Sequence, residues 1–236
     1  SVGGVPDTYL GDNKVGTQPI DFFWSANPMY NWGMMSNQDG GSQTLIAWHR
    51  WLLGWLDEDQ VYCLPSDVLD SVEVTLVPME REAEGFKAAM VPVSDRLVIV
   101  VESRREEGYD SNLSENSVGY YDDDGIRRRG WQRDYGTSGV IVYTHDTSIH
   151  DHNGQTRLQV PEGRINDKAN ASCPITICTW ADRDDPFQLW DSNDDNAVMV
   201  ETGYDPLLRP GDSVTVEGVT IELTQSGDYD RVRISK

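Results

Sequence analysis

The run 144–154 holds the densest set of metal-ligand side chains in this chain, with His145, His150 and His152 interleaved with Asp146 and Asp151. An H-x-H pair beside carboxylates can offer imidazole and oxygen ligands to a transition metal. The same run ends in Asn153-Gly154 and reads equally as a polar loop after a strand, with the metal as the competing reading. A second cluster, Asp182, Asp184, Asp185, Asp191, Asp194 and Asp195, presents hard oxygens of the kind calcium takes. It lacks the spacing of an EF-hand loop, so a solvated acidic loop competes with a calcium site. Cys63, Cys173 and Cys178 allow one disulfide and one leftover thiol, and Cys173 and Cys178 can close a small loop in an oxidising compartment. C-x-x-C spacing is absent, which argues against a cysteine-ligated zinc site. No G-x-S-x-G elbow, phosphate-binding glycine loop or basic and aromatic stripe occurs, so those hydrolase, nucleotide and single-stranded nucleic acid classes are set aside.

Whatever chemistry these residues do, the rest of the chain must position them. Its 236 residues, 38% of them hydrophobic, can bury a core suited to one large domain or two closely packed subdomains. A net charge of −21 repels nucleic acid phosphates and anionic membranes, and no apolar run approaches the roughly 18 residues a bilayer span needs. Neither a nucleic acid partner nor a membrane span is expected.

Residues 1–43 are rich in Gly, Asn, Asp and aromatics without periodicity, which predicts an ordered but irregular segment. Over 42–56 the apolar residues Leu45, Trp48, Leu52 and Trp55 or Leu56 recur at helical spacing, which predicts a buried amphipathic helix with Ser42 as N-cap. His49, between apolar positions, is expected as a hydrogen-bonded surface histidine. Alternation and short apolar runs then predict strands near 60–64, 71–78, 86–91, 96–102, 214–223 and 232–234. Pro210-Gly211-Asp212 and Glu217-Gly218 mark turns, and 111–136 reads as an acidic inserted loop. The fold class is therefore α+β, predominantly β: residues 1–58 form one piece with the Trp-rich helix, and 59–236 form an antiparallel β-rich subdomain.

Several of these segments also resemble one family. Gly4-Val5-Pro6-Asp7-Thr8-Tyr9 resembles the G-L-P-D-x-Y stretch that follows H-E-x-x-H in secreted zinc metallopeptidases of the immune inhibitor A (thuringilysin-like) family. Trp32-Gly33-Met34-Met35-Ser36 is similar to that family's W-x-x-M-S Met-turn. Leu45-Ile46-Ala47-Trp48-His49-Arg50-Trp51-Leu52-Leu53-Gly54-Trp55-Leu56 resembles its L-x-A-W-x-K-x-x-L-G-W-L helix, the most specific match. Val101-Glu102-Ser103-Arg104 with Gly108-Tyr109-Asp110 is similar to its V-E-x-R strand and G-y-D. Gly139-Val140-Ile141-Val142-Tyr143 and the closing Pro210-Gly211-Asp212-Ser213 hairpin follow in the family's order.

The resemblance implies the C-terminal part of a metallopeptidase domain, secreted, whose H-E-x-x-H segment lies outside this chain. It implies Asp7 as a third zinc ligand and Met35 as the hydrophobic floor beneath the metal. An N-terminal fragment carrying the zinc-binding helix and a polypeptide substrate are the implied partners. Alone, the chain is expected to be inactive, because one carboxylate cannot hold a catalytic zinc. The alternative is a non-catalytic extracellular β-rich structural or binding module.

Overall fold

The computed structural model describes residues 29, 32–35, 42–113, 116–121, 127–133, 138–149, 155–159, 161, 190–191, 200–201 and 206–236, with the backbone alone for 116–121, 127–133, 190–191 and 200–201. These residues form one α-helix, α1 (Ala47–Leu52), and thirteen strands in three sheets, the predominantly β architecture that the patterning predicts. No helix among them is long and apolar enough to cross a membrane.

The central sheet contains β1 (Val61–Cys63), β3 (Ala88–Pro92), β4 (Leu97–Arg104), β7 (Gly139–Asp146) and β8 (Thr156–Gln159), in the spatial order β1-β3-β4-β7-β8. β1 runs parallel to β3, and the other pairs are antiparallel. The apolar run at the start of β4 does not alternate with polar residues because both faces of this sheet are covered. On one face Val98, Val100, Ile141, Tyr143, Ala88 and Met90 pack against Trp32, Ile46, Ala47 and Trp48. On the other, Ile99, Val101, Val140, Val142, Ala89 and Val91 meet the second sheet.

That second sheet is an antiparallel array of β11 (Ser213–Val216), β12 (Val219–Gln225), β13 (Asp230–Ser235) and β2 (Ser71–Leu76). One face is buried and the other open, so alternation is visible here: Val219, Ile221 and Leu223 point inward along β12, as do Val232 and Ile234 along β13. Glu217 (φ 51°) and Gly218 (φ 76°) make the two-residue β11–β12 connection, where consecutive positive φ values suit a tight hairpin.

Two expectations need correction. The helix spans Ala47–Leu52 rather than 42–56; it is capped by no side chain of Ile46, and Gly54, at φ 69°, turns the chain just after it. With fewer than two turns it buries Ala47, Trp48 and His49, while Trp51, Leu52 and Trp55 are exposed. The apolar periodicity ran across a chain reversal, so it did not describe one helix face. The stretch expected as an inserted loop instead carries β5 (Asn116–Tyr121) and β6 (Arg127–Arg133), paired antiparallel. Here the β-formers Val118, Tyr120, Tyr121 and Trp131 outweigh the charged residues that dominate its composition. With β9 (Trp190–Asp191) and β10 (Val200–Glu201) they complete the third sheet.

Candidate functional site

A charged cluster lies where the N-terminus of α1 meets the central sheet. Glu102 and Arg104 are two residues apart on β4 and therefore share the sheet face that α1 covers; both are fully buried. Arg104 uses all five of its guanidinium N–H groups. Nε and Nη2 grip Asp110 at 2.7 and 2.8 Å; Nη1 donates to Glu102 at 2.8 Å and to the Trp32 carbonyl at 3.1 Å; Nη2 also donates to Ser42 Oγ at 2.6 Å. The guanidinium lies 5.8 Å from the centre of the Trp32 ring. Asp110 reaches this point from a 3₁₀ turn, Gly108–Asp110.

The other oxygen of Glu102 accepts the Ala47 amide at 2.6 Å and the Tyr143 hydroxyl at 3.2 Å, and the Tyr143 oxygen accepts the Trp48 amide at 3.1 Å. The first two amides of α1 thus find partners on the sheet instead of in a local cap, with a carboxylate at the positive end of the helix. Ser42 was expected to cap the helix and instead bonds to Arg104. Burial alone would lower the Arg104 pKa, but Asp110 and Glu102 outweigh it and raise it. Burial pushes the Glu102 carboxyl up against the opposing pull of Arg104 and the Ala47 amide. Burial, with Glu102 beside it, lifts the Tyr143 phenol well above its usual range.

Two residues further along α1 the environment changes. His49 is buried, and neither ring nitrogen has a hydrogen-bond partner among the described residues. Burial, and next the neighbouring His145, lower its pKa to about 3. This corrects the surface position expected for it: Trp48 and His49 both turn inward because the short helix presents its N-terminal turn to the sheet. Trp48 Nε1 is likewise buried without a partner, while its ring stacks on His145 at 4.6 Å between centroids. His145 Nδ1 lies 2.7 Å from Thr156 Oγ1, and burial lowers its pKa to about 4 against the pull of Asp146.

Two further ion pairs fasten the frame. Arg105 and Asp230 lie 2.6 Å apart between the two large sheets, with Ser103 donating to Asp230 at 2.7 Å. At the start of α1, Arg50 and Thr44 converge on Glu80.

The residues singled out by type and spacing are scattered. Met35 is buried beside Leu45, with Met34 and Leu53 around it. His145 is a core residue at the end of β7. Asp191 pairs through its backbone with Gly130. Asp7, His150, His152, Cys173, Cys178, Asp182, Asp184, Asp185, Asp194 and Asp195 lie outside the described residues. Cys63 is exposed and unpaired. Among the described residues no group of three or more His, Cys, Asp or Glu side chains is placed to hold a metal ion.

Sequence reasoning quoted Glu102, Arg104 and Asp110 as motif letters without seeing a site in them, and missed Tyr143. One signal was present: Glu102 and Arg104 continue the inward-facing positions of an otherwise apolar strand, so their charges had to meet partners indoors. Arranged this way, the cluster has no spare donor at the guanidinium, and it ties α1, β4 and the Gly108–Asp110 turn together. No protein-family model matches the chain, and no curated protein or solved structure matches it.

Proposed function

We propose that this chain is the C-terminal, framework part of a secreted metallopeptidase-like protein, with zinc-dependent peptide hydrolysis arising only together with an H-E-x-x-H segment outside it. One observation carries the reading: the segments that resemble one family along the sequence converge in space. The Trp32 carbonyl of the W-x-x-M-S stretch, the Ala47 amide of the tryptophan helix, Glu102 and Arg104 of V-E-x-R, and Asp110 of G-y-D share a single hydrogen-bond network. Pieces inherited together as one working unit are expected to touch in this way.

The described residues do not themselves fit a zinc site, since they bring no three ligands together. Zinc, where bound, supplies a polarised water for attack on a peptide carbonyl. The part assigned to this chain is mechanical. Arg104 holds the Trp32 carbonyl and the Ser42 hydroxyl, Glu102 and Tyr143 fix the first amides of α1, and Met35 packs against Leu45. The second reading, a non-catalytic extracellular binding module, draws support from the exposed tryptophans Trp51 and Trp55.

Intact mass and metal content of natively purified material, with a casein cleavage assay, test the proposal. A second polypeptide, stoichiometric zinc and chelator-sensitive cleavage are expected. A single 26.5 kDa species that carries no zinc and cleaves nothing would overturn it and leave the binding module.

A further inference from the structure

Among the described residues, β1 is the edge strand of the central sheet. The amides of Leu64 and Ser66 donate inward to Met90 and Pro92 at 3.1 and 2.9 Å. Alternation along the strand therefore turns the N–H and C=O of Cys63 outward. No described residue pairs with this edge, which offers a short template for another extended chain. Beside it, on the sheet face that carries α1, lies an open groove of about 480 Å³ whose walls include Trp48, Trp51, Val61, Met90, Leu97 and Val98. The rim is acidic: Glu58 and Asp95 stand on the groove itself, and Asp57 and Asp59 flank Glu58 in the exposed turn leading into β1. Arg96, the cation of the rim, interacts with Asp146 and helps to hold that carboxyl low.

From these features we infer that the β1 edge and its groove bind an extended basic peptide segment. Its backbone pairs with Cys63, one apolar side chain enters between Trp51 and Leu97, and flanking Lys or Arg side chains face Glu58 and Asp95. Three observations point to this occupant. The outward backbone groups call for a partner strand, because an apolar small molecule would leave them to water. The exposed Trp51, 43% accessible, supplies the large rigid apolar face on which binding energy concentrates. The acidic rim selects positive flanks and repels a second copy: a two-fold pairing of β1 with itself would set Asp57, Glu58 and Asp59 of one chain against Asp67 and Asp70 of the other. The Cys63 thiol lies at the groove wall, where partial desolvation raises its pKa. The inference rests on the edge, groove and rim, and holds under either reading of the function.

The test uses the whole chain and three synthetic probes: the peptide Ac-KKVFVKK-NH2, its acidic counterpart Ac-EEVFVEE-NH2, and the basic peptide N-methylated on both sides of the phenylalanine. Tryptophan fluorescence gives affinity, and amide NMR follows Cys63. The basic peptide is expected to bind at least roughly tenfold more tightly than the acidic one, to weaken as salt rises, and to shift the Cys63 amide resonance. N-methylation, which removes strand-pairing donors, is expected to cost roughly tenfold in affinity, and Trp51→Ala about as much with an unchanged melting temperature. Cys63→Pro removes an outward N–H without touching the bonds to β3, and is expected to weaken binding while the fold persists. Absence of binding by the basic peptide at about 1 mM, a level reached by even weak specific contacts, would overturn the inference. So would equal affinity for the acidic peptide, a Cys63 amide that does not move, or full affinity in Trp51→Ala.

Discussion

Under α1, two buried polar sites lie two residues apart along the helix and are built in opposite ways. At Ala47 the buried groups are charged, and each is matched: Arg104 makes five hydrogen bonds, and Glu102 accepts from Arg104, the helix and Tyr143. At His49 the buried groups are neutral and unmatched, with both imidazole nitrogens and the Trp48 indole N–H left without partners among the described residues. Depth is the same in the two places, so burial alone does not decide whether a polar residue strengthens a core. What decides is whether partners arrive from other elements. A complete network fixes one arrangement of strand, helix and loop, whereas an orphaned imidazole costs its desolvation and keeps its proton off.

The largest effect is expected from breaking the matched site. Arg104→Met leaves Glu102 and Asp110 buried without their cation, and stability should fall by about 3–5 kcal/mol, which would lower the midpoint of a urea transition substantially. Arg104→Lys is expected to restore little, because an ammonium cannot reproduce the two-point grip on Asp110. An unchanged transition midpoint in either variant would show that the cluster is decorative.

Acid is expected to act next, through the unmatched site. His49 and His145 have pKa values of about 3 and about 4 when folded, against 6.5 for ordinary histidine. The folded state therefore binds fewer protons, its stability is full above pH 6.5, and it is lost as pH falls toward those folded values. For His49 alone the loss should reach about 2 kcal/mol by pH 5. Glu102, with its pKa raised, works in the other sense: its contribution is present below the ordinary carboxyl range and is lost as pH rises through the folded value. The difference between the native chain and His49→Leu isolates the histidine. Urea titrations at pH 7 and pH 5 should show the variant losing about 2 kcal/mol less over that interval; parallel losses would mean that His49 is solvated or partnered in solution.

The smallest effect is expected at the partly exposed clasp of Arg50, Thr44 and Glu80, where the Arg50 side chain retains 19% of its accessibility. Glu80→Gln should cost about 1 kcal/mol or less and should shrink further in salt. A loss as large as that of Arg104→Met would erase the distinction between a sealed network and one open to water.

Much of the frame was legible. The runs at 71–76, 88–92, 97–104 and 213–235 became strands near the expected bounds, because apolar content and alternation report burial directly. The tryptophan helix was legible as a helix and misread in its facing. Its repeat counted Leu52 and Trp55 as buried, yet Gly54 ends the helical path before the pattern completes. The candidate site was legible only as letters. Nothing near Glu102 says that Ala47, fifty-five positions earlier, will place an amide against it.

By itself the sequence determined the β-rich class, the strands with their inward and outward sides, the hairpin at Glu217-Gly218 and the strongly acidic surface. These follow from local periodicity, turn chemistry and composition, which need no knowledge of distant residues. Only the tertiary structure decided which charges were matched, that α1 is capped from β4 and β7, that His49 meets no partner among the described residues, and that none of these residues pairs with the outer edge of β1 beside its groove. Hydrogen bonds and desolvation act over a few ångströms, and which residues come that close is set by how the sheets and the helix pack.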